Sequence, residues 1–151
     1  MIYFDAAYIA KCYLNEPGAD RVRQVAYGAD GLGSCELARL EFASIVKRHL
    51  REHHVTRREA TAVLRDFEQD AKDGVWHWFG VTSAIIEKAR DAVLQMQRHP
   101  LRAADAVQLA ICLYLQRGLN QPLPFVTCDD RLTEAARQEG LTVVTSPRRR
   151  H

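Results

Sequence analysis

The chain predicts an α/β fold, a three-layer α/β/α sandwich with helices on both faces of a central parallel sheet of about five strands. Three observations carry that expectation. Short β-rich runs alternate with helix-periodic segments along the whole length, and strands separated by helices join as parallel neighbours through right-handed crossovers. The length, 151 residues, is close to that of one ordinary domain. A hydrophobic share of 47% supplies one core, and a charged share of 26% is that of a globular chain rather than a disordered one.

The elements follow in order. Ile2-Tyr3-Phe4 is a short apolar strand, followed by a helix from Ala6 to Leu14 and a turn at Asn15-Glu16-Pro17-Gly18. A second helix covers Ala19 to Tyr27. Gly31-Leu32-Gly33-Ser34 is a weak strand between breakers, and a strong helix runs from Glu36 to Glu52. The next helix, Arg57 to Lys72, stops at Asp73-Gly74. Val75-Trp76-His77-Trp78-Phe79 alternates like a half-buried strand, with packing rather than base stacking as the role of its two tryptophans. Thr82-Ser83 caps a helix expected to reach Arg98 before His99-Pro100. A further helix spans Leu101 to Arg117, with Gly118 just past its end. Pro124 to Thr127 is a strand, Arg131 to Glu139 a helix ended by Gly140, and Thr142 to Thr145 the last strand. No linker divides the chain, so residues 1–147 form one domain and residues 148–151 a basic tail, with the stretch from Ser146 onward expected to be mobile.

Composition excludes several classes. A net charge of +2 is too balanced for a basic nucleic-acid coat or an acidic tail. No uncharged stretch approaches the ~18 apolar residues of a membrane span, and the Met1-Ile2-Tyr3-Phe4-Asp5 start lacks the basic lead of a secretory signal. Cys12, Cys35, Cys112 and Cys128 are scattered singly, which points to reduced, mostly buried thiols in a cytoplasmic protein. Phosphate-binding glycine loops and a nucleophile elbow are absent. His49 and His53, at i and i+4, lack a third zinc ligand and belong to a polar helix face.

Four acids stand in unusual places. Asp5 and Asp129 each follow an apolar strand, and ligands of open parallel sheets gather outside the carboxyl ends of strands. Glu41 has no basic residue at i±3 or i±4, unlike Glu36, which has Arg39 three residues on. Asp105 is bracketed by Leu101, Ala104, Leu109 and Cys112 on the inward stripe of its helix. Each acid has a plainer reading: Asp5 and Asp129 as helix caps, Asp105 as a first-turn acid beside Arg102, Glu41 bending to solvent. Their joint pattern favours one crevice. Carboxylates ~4 Å apart repel by roughly 4 kcal/mol at an effective dielectric of ~20, and a hard divalent cation removes that penalty. Such a site suits in-line attack of water on a phosphodiester.

The stretches around these acids resemble a known family. Tyr3-Phe4-Asp5-Ala6-Ala7-Tyr8-Ile9-Ala10-Lys11, with Tyr13 and Glu16-Pro17-Gly18 after it, is similar to the opening of PIN-domain proteins, closest to the VapC-type toxins of bacterial toxin–antitoxin pairs. Ala38-Arg39-Leu40-Glu41-Phe42 resembles their second acidic motif. Leu101 to Ala110, around Asp105, resembles the third, and Val126-Thr127-Cys128-Asp129-Asp130-Arg131-Leu132 the fourth. The resemblance covers nearly the whole chain in family order. It implies a PIN-like fold, with Asp5, Glu41, Asp105 and Asp129 as catalytic and metal-binding acids and Thr127 supporting them by hydrogen bonding. It further implies RNA cleavage dependent on Mg²⁺ (with Mn²⁺ as a substitute), a cognate antitoxin and a homodimer. Ala7 stands where many relatives carry Ser or Thr, and Gln108 replaces a frequent His, a change expected to have little effect. The T-x-D spacing favours Asp129 over Asp130.

Arg102, one turn before Asp105, is a candidate contact to substrate phosphate, as is the Arg148-Arg149-Arg150 run. The apolar stripe of the helix from Glu36, with the helix after it, is a candidate part of an antitoxin groove. The alternative function is a catalytically silent PIN-like module that binds RNA or a partner; a phosphatase acting on small phosphoesters is a further rival.

Overall fold

Neighbouring residues of a strand point to opposite faces of the sheet, and here they feed two separate cores. In the computed structural model, which describes residues 1–96 and 100–144, Tyr3 packs into one core and Phe4 into the other, as do Phe125 and Val126, and Val143 and Val144. The element order is β1 (Ile2–Phe4), α1 (Ala6–Tyr13), α2 (Ala19–Tyr27), β2 (Leu32–Cys35), α3 (Leu37–Arg51), α4 (Arg57–Lys72), β3 (Trp76–Phe79), α5 (Ser83–Gln95), α6 (Ala103–Leu119), β4 (Phe125–Val126), α7 (Asp130–Gln138) and β5 (Val143–Val144). The five strands form one parallel sheet in the order β3-β2-β1-β4-β5. Helices α1 to α4 cover one face, α5 to α7 the other. The three-layer architecture is the expected one.

On the first face, Phe42 of α3 and Phe67 of α4 stack with centroids 4.0 Å apart, and Tyr13 meets both edge-on. The Trp76 ring is buried beside Phe4, and its Nε1–H donates to the Tyr13 hydroxyl, which in turn donates to Asp70 at 2.6 Å. Trp76 is thus a core residue, as its alternation implied. On the second face, the unbroken run Ala106 to Cys112 of α6 is buried against β1, β4 and α5.

Several boundaries differ from the sequence expectation. Helix α6 begins at Ala103, because Arg102 is extended (φ −72°, ψ 155°), and it runs through Gly118 to Leu119. The left-handed cap falls on Asn120 (φ 50°, ψ 35°), whose short polar side chain tolerates that conformation, so Gly118 is not the terminator. Helix α5 ends at Gln95, short of Arg98. Strand β4 is two residues rather than four, since the chain leaves the ladder at Thr127 to start the turn into α7, and β5 begins at Val143 rather than Thr142. The apolar stripe of α3 (Ala38, Phe42, Val46) is buried in the core, so it is not available as a docking groove; Leu40 is the exposed apolar residue of that helix. His49 faces Glu16, Nε2 to Oε1 at 2.8 Å, while His53 lies beyond the helix end at φ 60°. All four cysteines are free, Cys35 and Cys112 buried and Cys128 exposed. Thr145, the tail from Ser146, the Arg148–Arg150 run and residues 97–99 lie outside the described residues.

Candidate active site

The strand order reverses at β1, with β2 on one side and β4 on the other. Crevices form at such switch points, outside the carboxyl ends of the strands. Asp5 directly follows β1, and Asp129 follows β4 after the two residues Thr127 and Cys128. Glu41 comes from α3, the helix that leaves β2, and Asp105 from the first turn of α6, which leads to β4.

Each acid is fixed locally. Asp5 is 6% exposed and caps α1, accepting from the Tyr8 N–H at 2.8 Å. The Thr127 hydroxyl also hydrogen-bonds its carboxylate. Asp129 caps α7, accepting from the N–H groups of Arg131 and Leu132 at 2.8 and 3.0 Å, and its own N–H donates to Thr127 Oγ1 at 3.1 Å. Asp105 accepts from the Arg102 backbone N–H. Asp5 and Asp129 are therefore caps, and both stand past the carboxyl ends of the paired strands β1 and β4. Glu41, half-buried, accepts at Oε2 from Gln108 Nε2 at 3.1 Å.

The four acids form one electrostatic group. Burial pushes the Asp5 carboxyl up to about 7, against the lowering bonds from Thr127 and Tyr8 and with the help of Asp105 and Glu41. Glu41 is raised by burial and by Asp105, with Gln108 opposing. Asp105 is raised by burial and by Asp129, with Arg102 and Arg131 opposing. Among the described residues none of the four has a basic side chain within ion-pair distance. Glu36, by contrast, pairs with Arg39 at 2.8 Å, as its spacing implied.

Among the described residues no three His, Cys, Asp or Glu side chains stand close enough to hold one ion by themselves. The donor chemistry nevertheless fits a hard cation. The donors are all carboxylate oxygens, burdened by mutual repulsion, and Mg²⁺ takes one or two carboxylates and completes its shell with water and substrate phosphate. A cavity of about 620 Å³ between α5 and α6, lined by Ile85, Ala92, Leu109 and Tyr114 among others, includes none of the four acids.

Sequence reasoning missed Gln108 and Tyr3. Gln108 is 2% exposed and links the Tyr3 hydroxyl, which donates to its Oε1 at 2.7 Å, to Glu41. The residue that stands in place of the frequent His is thus bonded on both sides, to Tyr3 and to Glu41. The signal was available: a polar side chain one turn after Asp105, inside an otherwise apolar run, raises the same question as a buried acid.

The chain aligns with known folds throughout. VapC20 of Mycobacterium tuberculosis, a toxin that cleaves the sarcin–ricin loop, superposes with a TM-score of 0.68 at 14% identity, over 89% of this chain and 95% of that one. FitAB bound to the IR36 DNA fragment superposes with a TM-score of 0.66, also at 14% identity, over the full length of both chains. No curated protein sequence matches. The PIN domain family profile matches residues 2–138, which span β1 to the end of α7 and all four acids, and the chain belongs to the PIN domain family.

Proposed function

We propose that the protein is an Mg²⁺-dependent endoribonuclease of the VapC toxin type, hydrolysing RNA phosphodiester bonds. One observation carries the reading: Asp5, Glu41 and Asp105, brought from separate parts of the chain, are all raised by burial and then by neighbouring carboxylates, Asp129 acting on Asp105, and none of the four acids forms an ion pair among the described residues. Asp5, Asp105 and Asp129 would hold the cation, with Mn²⁺ as a substitute. Bound there, it would supply the positive charge that activates water and stabilises the departing oxygen. Glu41 either adds a ligand or orients the attacking water and takes its proton at the carboxylate. Thr127 steadies Asp5 through its hydroxyl. Arg102, exposed at the start of α6, contacts a substrate phosphate. The toxin reading brings a cognate antitoxin, a homodimer and a cytoplasmic setting; among the described residues no helix is long and apolar enough to cross a membrane.

The silent-module reading draws on the lack of three preassembled ion-holding side chains among the described residues. One pair of measurements separates the two. The nuclease cleaves a structured RNA with Mg²⁺, stops with EDTA, and melts at a higher temperature as Mg²⁺ is added. A silent module shows neither cleavage nor a metal-dependent melting temperature.

A further inference from the structure

Gln108 is a buried amide with two different polar neighbours. A carboxylate only accepts hydrogen bonds, so the Glu41 side requires the NH₂ end of the amide. That leaves Oε1 toward Tyr3, and an amide oxygen only accepts, so the phenolic hydroxyl must donate. The observed contacts match: Tyr3 Oη to Gln108 Oε1 at 2.7 Å, and Gln108 Nε2 to Glu41 Oε2 at 3.1 Å. Reversing the amide would set its oxygen against the Glu41 carboxylate. Tyr3 and Gln108 are both sealed in the core, so water does not take over either role. The other Glu41 oxygen, Oε1, has no protein donor among the described residues.

The three residues belong to β1, α6 and α3, the elements that also carry Asp5, Asp105 and Glu41. Tyr3 lies two residues before Asp5, and Gln108 three after Asp105. Glu41, unlike Asp5 and Asp129, caps no helix, and among the described residues it accepts from no backbone N–H, so the amide is the group that sets its rotamer.

We propose that Gln108 is a positioning residue for Glu41, itself oriented by the Tyr3 hydroxyl, and that this relay aims the free Glu41 oxygen at a divalent cation. The inference rests on the metal-dependent reading above. Partners of metal ligands typically contribute on the order of 10-fold or more to affinity.

The test uses the full-length chain and Mn²⁺ alone, with affinity read by calorimetry and by the shift of melting temperature. Gln108→Met keeps the volume and removes both bonds. Tyr3→Phe removes only the hydroxyl, and the double variant leaves no buried Tyr3 hydroxyl without its acceptor, which guards against simple misfolding. Gln108→His restores an N–H donor. We expect Mn²⁺ affinity to fall about 10-fold in Gln108→Met, by less in Tyr3→Phe, and no further in the double variant than in Gln108→Met. Gln108→His recovers most of the loss, and kcat for RNA falls more than KM rises. Wild-type affinity in Gln108→Met and in the double variant, or fully additive losses, would overturn the relay while leaving the nuclease reading intact. A wild-type chain that binds no Mn²⁺ overturns the metal-dependent reading itself, and this inference with it.

Discussion

At the scale of single residues, Asp5 concentrates the conflict between folding and chemistry. Its carboxyl is buried and sits among other acids, so the folded chain holds a proton there up to about pH 7, against an ordinary value of 3.8. The folded state therefore binds the extra proton between those two values, and metal-free stability falls as the pH rises through that window. Glu41 and Asp105, raised in the same direction, deepen the trend. Metal-free melting temperature should consequently be higher at pH 5 than at pH 8, and the increase caused by Mg²⁺ should be larger at pH 8 than at pH 6; thermal melts at matched ionic strength check both. Asp5→Asn keeps an oxygen for the Tyr8 N–H, and Asn caps helices as well as Asp. It should abolish RNA cleavage, flatten the pH dependence and raise the metal-free melting temperature at pH 8 by several degrees, at about 2–4 °C per kcal/mol for a chain of this size. Undiminished cleavage by the purified variant would remove Asp5 from the site. Asp5 and Asp129 stood out because each follows an apolar strand, Glu41 because it lacks a basic residue one turn away, and Asp105 because it falls on the inward stripe of its helix. Gln108 escaped because a neutral amide carries no visible charge to be explained, and its worth depends on two partners 105 and 67 residues away.

At the scale of elements, legibility followed the strength of the end signals. Helices α2 and α4 run as the sequence indicated, and α4 shows why: Thr56 accepts from the Glu59 N–H while the Glu59 carboxylate accepts from the Thr56 N–H, and Gly74 takes φ 74° just beyond the other end. Helix α7 likewise stops ahead of Gly140 at φ 81°. Gly118 misled because glycine signals a helix end only when the backbone needs the left-handed region, and here Asn120 occupies it. Gly118 sits in the last helical turn with nothing within 4 Å of where a Cβ would stand. Gly118→Ala should thus stabilise the protein by about 0.5–1 kcal/mol, measured by urea denaturation. Strand β4 reads too long because Thr127, a good strand former, turns instead toward α7, its hydroxyl accepting from the Asp129 N–H.

At the scale of the whole molecule, the sheet order does what no local pattern reveals. Asp5 and Asp129 lie 124 positions apart in sequence, and only the pairing of β1 with β4 makes their strand ends neighbours. A different order would have kept every helix and strand and dispersed the acids. The two cores lie on opposite faces of the sheet. Phe67→Ala, in the stack of α4 on α3, should cost about 3–5 kcal/mol, visible in denaturant melts; Asp5, Asp105 and Asp129 lie on other elements, whereas Glu41 adjoins the stacked Phe42, so any change in the Mn²⁺ affinity of the folded fraction should come through Glu41. Strand β1 enjoys no such separation. Three residues long, it pairs with both β2 and β4, sends Tyr3 and Phe4 into opposite cores, and aims Asp5. Evolution is left with almost no freedom in that tripeptide: drift toward a sturdier scaffold and drift toward altered activity must both pass through the same few codons, so new specificities would have to arise around the crevice rim rather than at its floor.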